Sequence, residues 1–497
     1  IYMATVLATP GVYIEEKSAF GSSVVPVATA VPAFIGYTQK ALRGTKSLKN
    51  VPTRISSFAE FEQFFGGAPK TLFNLKADDT LEIVAKTRFI LHSAMRFYFA
   101  NGGAGCYIVS IGDYSNGLVA KDFNDLATEG GLPSLLKYME PTLLVVPEAI
   151  LLGQDECFTL QQAMLQHCGF QMKNRFAILD VYNGDQRRTM DEEDIANKFR
   201  EGVGSNHLQW GAAYYPFVKT TVVGTSEVDF TNIENLDGLV ENLSGEVNSD
   251  LASGFINEAR AEAIKAEIAK ISTAKTAVEI SSVQSTLKTI SPKLNGILKD
   301  IVDALNVLPP SPGMAGIYAM VDNSINVAKA PANVSLGSVV APTVAITSDN
   351  QEELNLPLSG KAINAIRSFP GKGVLVWGAR TLDGNSQDWR YISVRRTMTF
   401  LEQSIKFAAE AYVFEPNNAT TWSTLKATVQ NFLQNQWQSG LLAGQSPDDA
   451  FSVSIGLGNT MTANDVLDGV LKMTVKVAIT RPAEFIVITF EQQQQKS

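Results

Sequence analysis

The chain has 497 residues, about three times the ~150 of an average domain, so two to four domains are expected. Hydrophobic residues make up 45% and charged residues only 18%, below the ~25% charge of an ordinary soluble domain, which excludes a disordered chain and leaves surface to be covered by something other than water. The net charge of -9 argues against nucleic acid as the main partner, because phosphate binding needs a basic excess.

In chain order, TPGVYIEE (9–16) reads as a turn followed by a short strand in which Val12 and Ile14 alternate with Tyr13 and Glu15. Gly21, Ser22 and Ser23 follow as a joint, so this strand stands alone and needs a partner elsewhere. From 24 to 224 the pattern is α/β: strand-like AVPAFIGY (30–37), CYIVSIG (106–112), TLLVVP (142–147) and RFAILDVY (175–182) alternate with helix-like 81–100 and 157–167. Short apolar runs separated by helices predict a mostly parallel, doubly wound sheet.

Residues 225–308 form a helical insert with an acidic lead. Ile264, Ile268, Ile271 and Val278 make one stripe, and Val283, Leu287, Ile290, Leu294, Ile297, Ile301 and Leu305 a second. An αα-hairpin packed on the α/β domain is the plainer expectation and a partner-binding coiled coil the sharper one, with Pro292 kinking the helix or opening a new one. The α/β domain resumes over 309–359. An α+β domain is expected over 360–482, with strands at 373–380, 389–396 and 471–480 and helices at 397–414 and 422–442. A last strand, AEFIVITFE (483–491), is separated from its predecessor by Pro482 and also seeks a partner. Residues 361–497 carry a net +2, against -11 for the rest.

The sequence carries no recognisable catalytic motif. GxxxxGK[ST], HExxH and GxSxG are missing, and NGGAG (101–105) precedes a strand instead of following one. Cys106, Cys157 and Cys168 form no CxxC and cannot all pair, so a reducing compartment is expected, and His167 beside Cys168 reads as a buried pair, not a metal site. Arg380, Asp383, Asp388, Arg390, Arg395, Arg396 and Glu402 read as a structural ion-pair set in preference to an anion site. No basic region precedes an apolar run, and 24–37 is too short and too broken by Pro26 and Pro32 to span a bilayer, so a cytoplasmic, soluble chain starting natively at Met3 is expected, with no cofactor and no metal.

Several segments, in order, carry a resemblance: TPGVYIEE (9–16), FIGYT (34–38), FEQFFGG (61–67), FANGGAGCYIV (99–109), YYPF (214–217), PPSPGMAGIYAMVD (309–322) and KAPAN (329–333). The C-terminal third adds LNLPLSGKAINAIRSFPGKGVLVWGARTL (354–382), WRYISVRRTMTFLEQSI (389–405), FEPNNATTW (414–422) and RPAEFIVI (481–488). The sequence resembles the contractile tail sheath proteins of phages, R-type pyocins and extracellular contractile injection systems; the matches stop at 225–308.

The resemblance implies a non-enzymatic structural subunit that stacks as hexameric rings around an inner tube and contracts from a metastable extended state to drive that tube through a target envelope. It implies a subtilisin-like outer α/β domain and a C-terminal sheath core domain, flanked by strand-donating arms at 1–23 and 483–497. Neighbouring sheath subunits, the inner tube protein, the baseplate and the tail terminator or cap are the implied partners, with no nucleic acid and no membrane insertion. Assembly in the bacterial cytoplasm, within a phage tail or a released or cell-associated particle, is expected. Val12, Tyr13, Ile14, Glu15, Phe485, Ile486, Val487 and Ile488 are the expected strand-exchange residues, and Arg395, Arg396 and Lys426 the candidates to face the tube. A static shell or collar, or a hydrolase with a hidden triad, are the alternatives.

Overall fold

In the computed structural model, which describes residues 24–189, 191 and 193–485, the apolar runs of the α/β region become central strands. The sheet strands in chain order are β1 (Pro32–Gly36), β2 (Thr53–Ile55), β3 (Cys106–Ser110), β4 (Leu143–Val145), β5 (Phe176–Asp180), β6 (Gly211–Tyr215), β7 (Val334–Ser335), β8 (Ile363–Phe369) and β9 (Gly373–Val376). Among the described residues these nine form one sheet in the order β7-β9-β8-β6-β5-β4-β1-β3-β2. The six strands from β8 to β3 run parallel, and β7, β9 and β2 add antiparallel edges.

Both faces of this sheet are covered, which is why its strands are apolar without alternation. Ala33 and Ile35 enter one core together with Leu160 and Met164 of α3 (Gln154–Gln166), whereas Phe34 enters the other. That second core takes Met95 and Tyr98 from α2 (Leu91–Ala100) and Met314 and Tyr318 from α8 (Ser311–Ser324). A Cβ on Gly316 would lie 2.6 Å from the Tyr98 carbonyl oxygen, so the glycine is what lets α8 lie against α2. The helix expected over 81–100 is shorter: Leu81–Ile83 is a strand paired with Phe73–Leu75, and only α2 is helical at length.

The insert holds four helices, α4 (Leu236–Ala252), α5 (Glu258–Ala269), α6 (Ala277–Ile290) and α7 (Pro292–Leu305), in place of the expected pair. They share a core of their own that includes Ile264, Ile268, Ile271, Val283, Leu287, Leu294, Ile297 and Ile301, closed by Phe73 and Leu75 of the hairpin. Each fully buried aliphatic side chain there contributes about 1.5–3 kcal/mol of transfer free energy. Val278 departs from its stripe and is 80% exposed, because it sits in the first turn of α6, ahead of that helix's buried residues. Pro292 opens α7 at its first turn, and the Ser291 hydroxyl caps it by accepting the Leu294 amide at 3.1 Å.

The chain divides into two compact units. The larger contains Ala28–Phe400 and resumes at Arg481; the smaller contains 24–27 and Leu401–Thr480. The expected start of a C-terminal domain at 360 therefore moves to residue 401, inside α10 (Ile392–Glu410), because β8 and β9 hydrogen-bond into the large sheet. The strand expected over 389–396 is also corrected. β-branched Ile392 and Val394 suggested a strand, yet both lie in the first turn of α10, where Arg395 and Arg396 are buried beside them. The smaller unit contains α11 (Ala419–Gln438) and an antiparallel pair, β10 (Phe451–Ile455) and β11 (Met473–Val477).

Candidate assembly interface

The expected strand-exchange residues Val12, Tyr13, Ile14, Glu15, Ile486, Val487 and Ile488 lie outside the described residues. Phe485 is described and 69% exposed. The residues next to each expected arm are described. On the N-terminal side the Val27 amide donates to Ser404 Oγ of α10 at 3.2 Å, within the smaller unit. On the C-terminal side the root belongs to the larger unit.

There Glu484 is clasped from three directions. Arg380 Nε donates to its two carboxylate oxygens at 3.0 and 3.2 Å, and Nη2 donates to Oε2 at 2.6 Å. Asn355 Nδ2 donates to Oε1 at 2.9 Å and the Tyr391 hydroxyl to Oε2 at 3.2 Å. Arg380 is 1% exposed and spends Nη1 on the Asn355 and Gly384 carbonyls. Burial alone would raise the Glu484 carboxyl, but the bonds from Arg380 and Asn355 and the guanidinium charge hold it below the usual carboxylate range. Reading 483–491 as a strand missed this contact, since nothing in the local pattern marks Glu484 as a partner of Arg380, 104 positions away.

In the smaller unit β10 and β11 pair Phe451 with Val477, Val453 with Val475 and Ile455 with Met473. The Ala478 amide donates to Ala450 and the Thr480 amide to Leu441, at 2.8 and 3.1 Å. Even-numbered residues of β11 thus face β10, and by the alternation of an antiparallel ladder Val475 and Val477 turn their amides outward. Among the described residues no strand pairs with that outer edge. Met473, Val475 and Val477 are only half-buried, leaving apolar area beside open backbone donors.

Of the three tube-facing candidates, Arg395 and Arg396 are 4% and 5% exposed. The Arg395 guanidinium lies 4.3 Å from the ring centres of both Trp210 and Trp389. Arg396 donates to both oxygens of Asp322, at 3.1 and 2.5 Å, and to the Thr29 carbonyl, over the Tyr318 ring. These contacts are internal to the larger unit and correct the expectation that the two arginines present charge outward. Lys426, on α11, is half-buried.

Other titratable groups serve the interior. Arg175 reaches His167 Nε2 at 2.7 Å, and burial together with the Arg175 charge depresses that imidazole to about 3. The cysteines are free and buried. Among the described residues no group of three His, Cys, Asp or Glu side chains is arranged to hold a metal, and no helix is long and apolar enough to cross a membrane.

Two carboxyls lie wholly inside the larger unit. Glu148 accepts the amides of Tyr37, Ile90 and Leu91 at 2.8, 2.9 and 3.1 Å, and Asp180 accepts the Ser311 amide at 2.8 Å and its hydroxyl at 2.5 Å. Burial outweighs these donors and pushes both up to about 7, from ordinary values of 4.5 and 3.8. The folded chain therefore retains protons that the unfolded chain has released, a contribution complete below the ordinary values and lost as pH rises through about 7. Glu148→Gln should flatten the fall in melting temperature between about pH 5 and pH 8 while lowering it overall, since one amide then meets an amide. An unchanged slope would assign the linkage to other groups.

Residues 385–493, which contain the smaller unit's two strands together with Tyr391 and Glu484, match the family described as the phage tail sheath C-terminal domain. The chain is 25% identical over 127 residues to the tail sheath protein of Enterobacteria phage T4, a stretch that is 26% of this chain and only 19% of that protein. Over nearly its whole length it superposes on the sheath complex of an extracellular contractile injection system, PVC, in the contracted state, with 29% identity, 99% of each chain covered and a TM-score of 0.59. The chain is similar to the contractile tail sheath proteins. The anti-feeding prophage sheath in the contracted state is similar as well, at 29% identity over 98% of this chain and 100% of that one, with a TM-score of 0.63. A chain of that prophage's contracted baseplate gives 26% identity, 99% coverage of both chains and a TM-score of 0.64. The mixed α/β architecture of this chain thus matches that of contractile sheath structures.

Proposed function

We propose that this chain is the structural subunit of a contractile sheath, assembling as stacked hexameric rings around an inner tube and shortening to drive the tube forward. The observation that carries the reading is the near full-length likeness to sheath chains in contracted particles. The arms lend strands to neighbouring subunits, and the outer edge of β11 is the acceptor: among the described residues it offers donors that no strand takes and half-covered valines, the two things β-augmentation uses for affinity and register. Neighbouring copies, the tube, the baseplate and a terminator are the partners, and Lys426 is the remaining tube-facing candidate.

Contraction is a change of packing that keeps strand links intact, from an extended state trapped during assembly. A gain of even ~1 kcal/mol per subunit, summed over hundreds of linked copies, makes the switch irreversible without nucleotide. Coexpression with the cognate tube protein should give particles with two sheath lengths by negative-stain electron microscopy, long before triggering and short after. A single length under every trigger would instead describe a static collar.

A further inference from the structure

The Glu484 clasp lies immediately before the segment expected to be lent, and it leads into the centre of the large sheet. Arg380, its principal donor, is itself locked by Asn364 on β8: the Arg380 amide donates to Asn364 Oδ1 at 2.8 Å, and Asn364 Nδ2 donates to the Arg380 carbonyl at 2.8 Å. The same Nδ2 reaches the Ala213 carbonyl of β6 at 3.1 Å. A Cβ on Gly378 would sit 2.8 Å from Asn364 Oδ1, so that glycine admits the lock. An uninterrupted polar path therefore runs from Glu484 through Arg380 and Asn364 to β6, all within the larger unit.

We propose that Glu484 is the positioning residue of the C-terminal arm, fixing where the lent strand leaves the subunit and passing the pull of the neighbouring copy into the nine-stranded sheet. Chain ends without such ties open locally at almost no cost. A tether that frays at its root would let register slip and would leave the larger unit behind when a neighbour moves. The N-terminal root, by contrast, is tied to the smaller unit through Ser404, so the two arms report to different units. The proposal rests on the strand-lending reading.

The test compares three full-length variants and a chain ending at Phe485, by hydrogen exchange of the free subunit and sheath yield with added tube protein. Glu484→Ala should speed exchange of the 483–485 amides and cut sheath yield by about tenfold each, as expected for losing charge-assisted bonds, with exchange in the β-sheet unchanged. Glu484→Gln, which keeps an acceptor for Arg380, should recover part of both. Asn355→Ala removes one clasp bond without stranding a buried charge and should also speed exchange at 483–485; it carries the test if Glu484→Ala does not fold. The truncated chain should form no sheath. If it assembles normally, strand lending by this arm fails, and the clasp's role with it. If it fails to assemble while the clasp variants keep wild-type exchange and yield, strand lending stands and the clasp proposal alone is overturned.

Discussion

A chain lacking residues 1–16 should remain folded and form no sheath. The segment Val12 to Glu15 alternates apolar and polar residues as a half-buried strand does, and the joint at Gly21, Ser22 and Ser23 separates it from the α/β domain. Its backbone bonds, at ~1 kcal/mol net each, and the burial of Val12 and Ile14 would therefore belong to a neighbour. Each ~1.4 kcal/mol is a factor of ten in association, so losing several such contacts at every junction of a ring should abolish polymerisation outright. Melting temperature and circular dichroism of the free subunit should match the full chain. Full-length tubes from the truncated subunit, by negative-stain microscopy, would refute strand lending by this arm.

Val475→Pro should have an effect of similar size from the acceptor side. Val475 pairs with Val453 across the sheet, and its amide points away from β10. Proline removes that outward donor and puts a ring where an incoming strand must approach, while the inward bonds made by Ala478 and Thr480 remain. The isolated subunit should thus keep its fold, with assembly lost. Val453→Pro is the contrasting control: Val453 is buried at 4% exposure, so that variant should lose stability as well. If Val475→Pro subunits polymerise as the parent does, the acceptor edge lies elsewhere.

Much of the architecture was legible from the chain alone. The runs that became β1, β3, β4 and β5 are buried on both faces, so composition without alternation was enough to mark them. The heptad-like stripes of the insert likewise marked Ile264, Ile268, Leu287 and Ile301 as core, because a helix period repeats within a few residues. Local periodicity could not say that four helices would share one core with the Phe73–Leu75 strand, since that hairpin lies far away in the chain.

Neighbours along the chain alone thus set the element types where the period is long and the absence of short catalytic motifs. Charge content could not tell Arg395 and Arg396, buried between tryptophans and against Asp322, from lysines and arginines facing solvent. A charge is committed inside only when a partner from another element arrives, and Asp322 arrives from α8, 74 positions earlier. The unit boundary at 401 was hidden for the same reason: 373–380 reads as a strand in any context, 363–369 was not read as one, and only the hydrogen bonds of β8 and β9 to β6 and β7 assign them to the large sheet. Glu484 is the clearest instance. Its burial in a clasp follows from Arg380, Asn355 and Tyr391 converging in space, and convergence of distant residues is decided by tertiary packing.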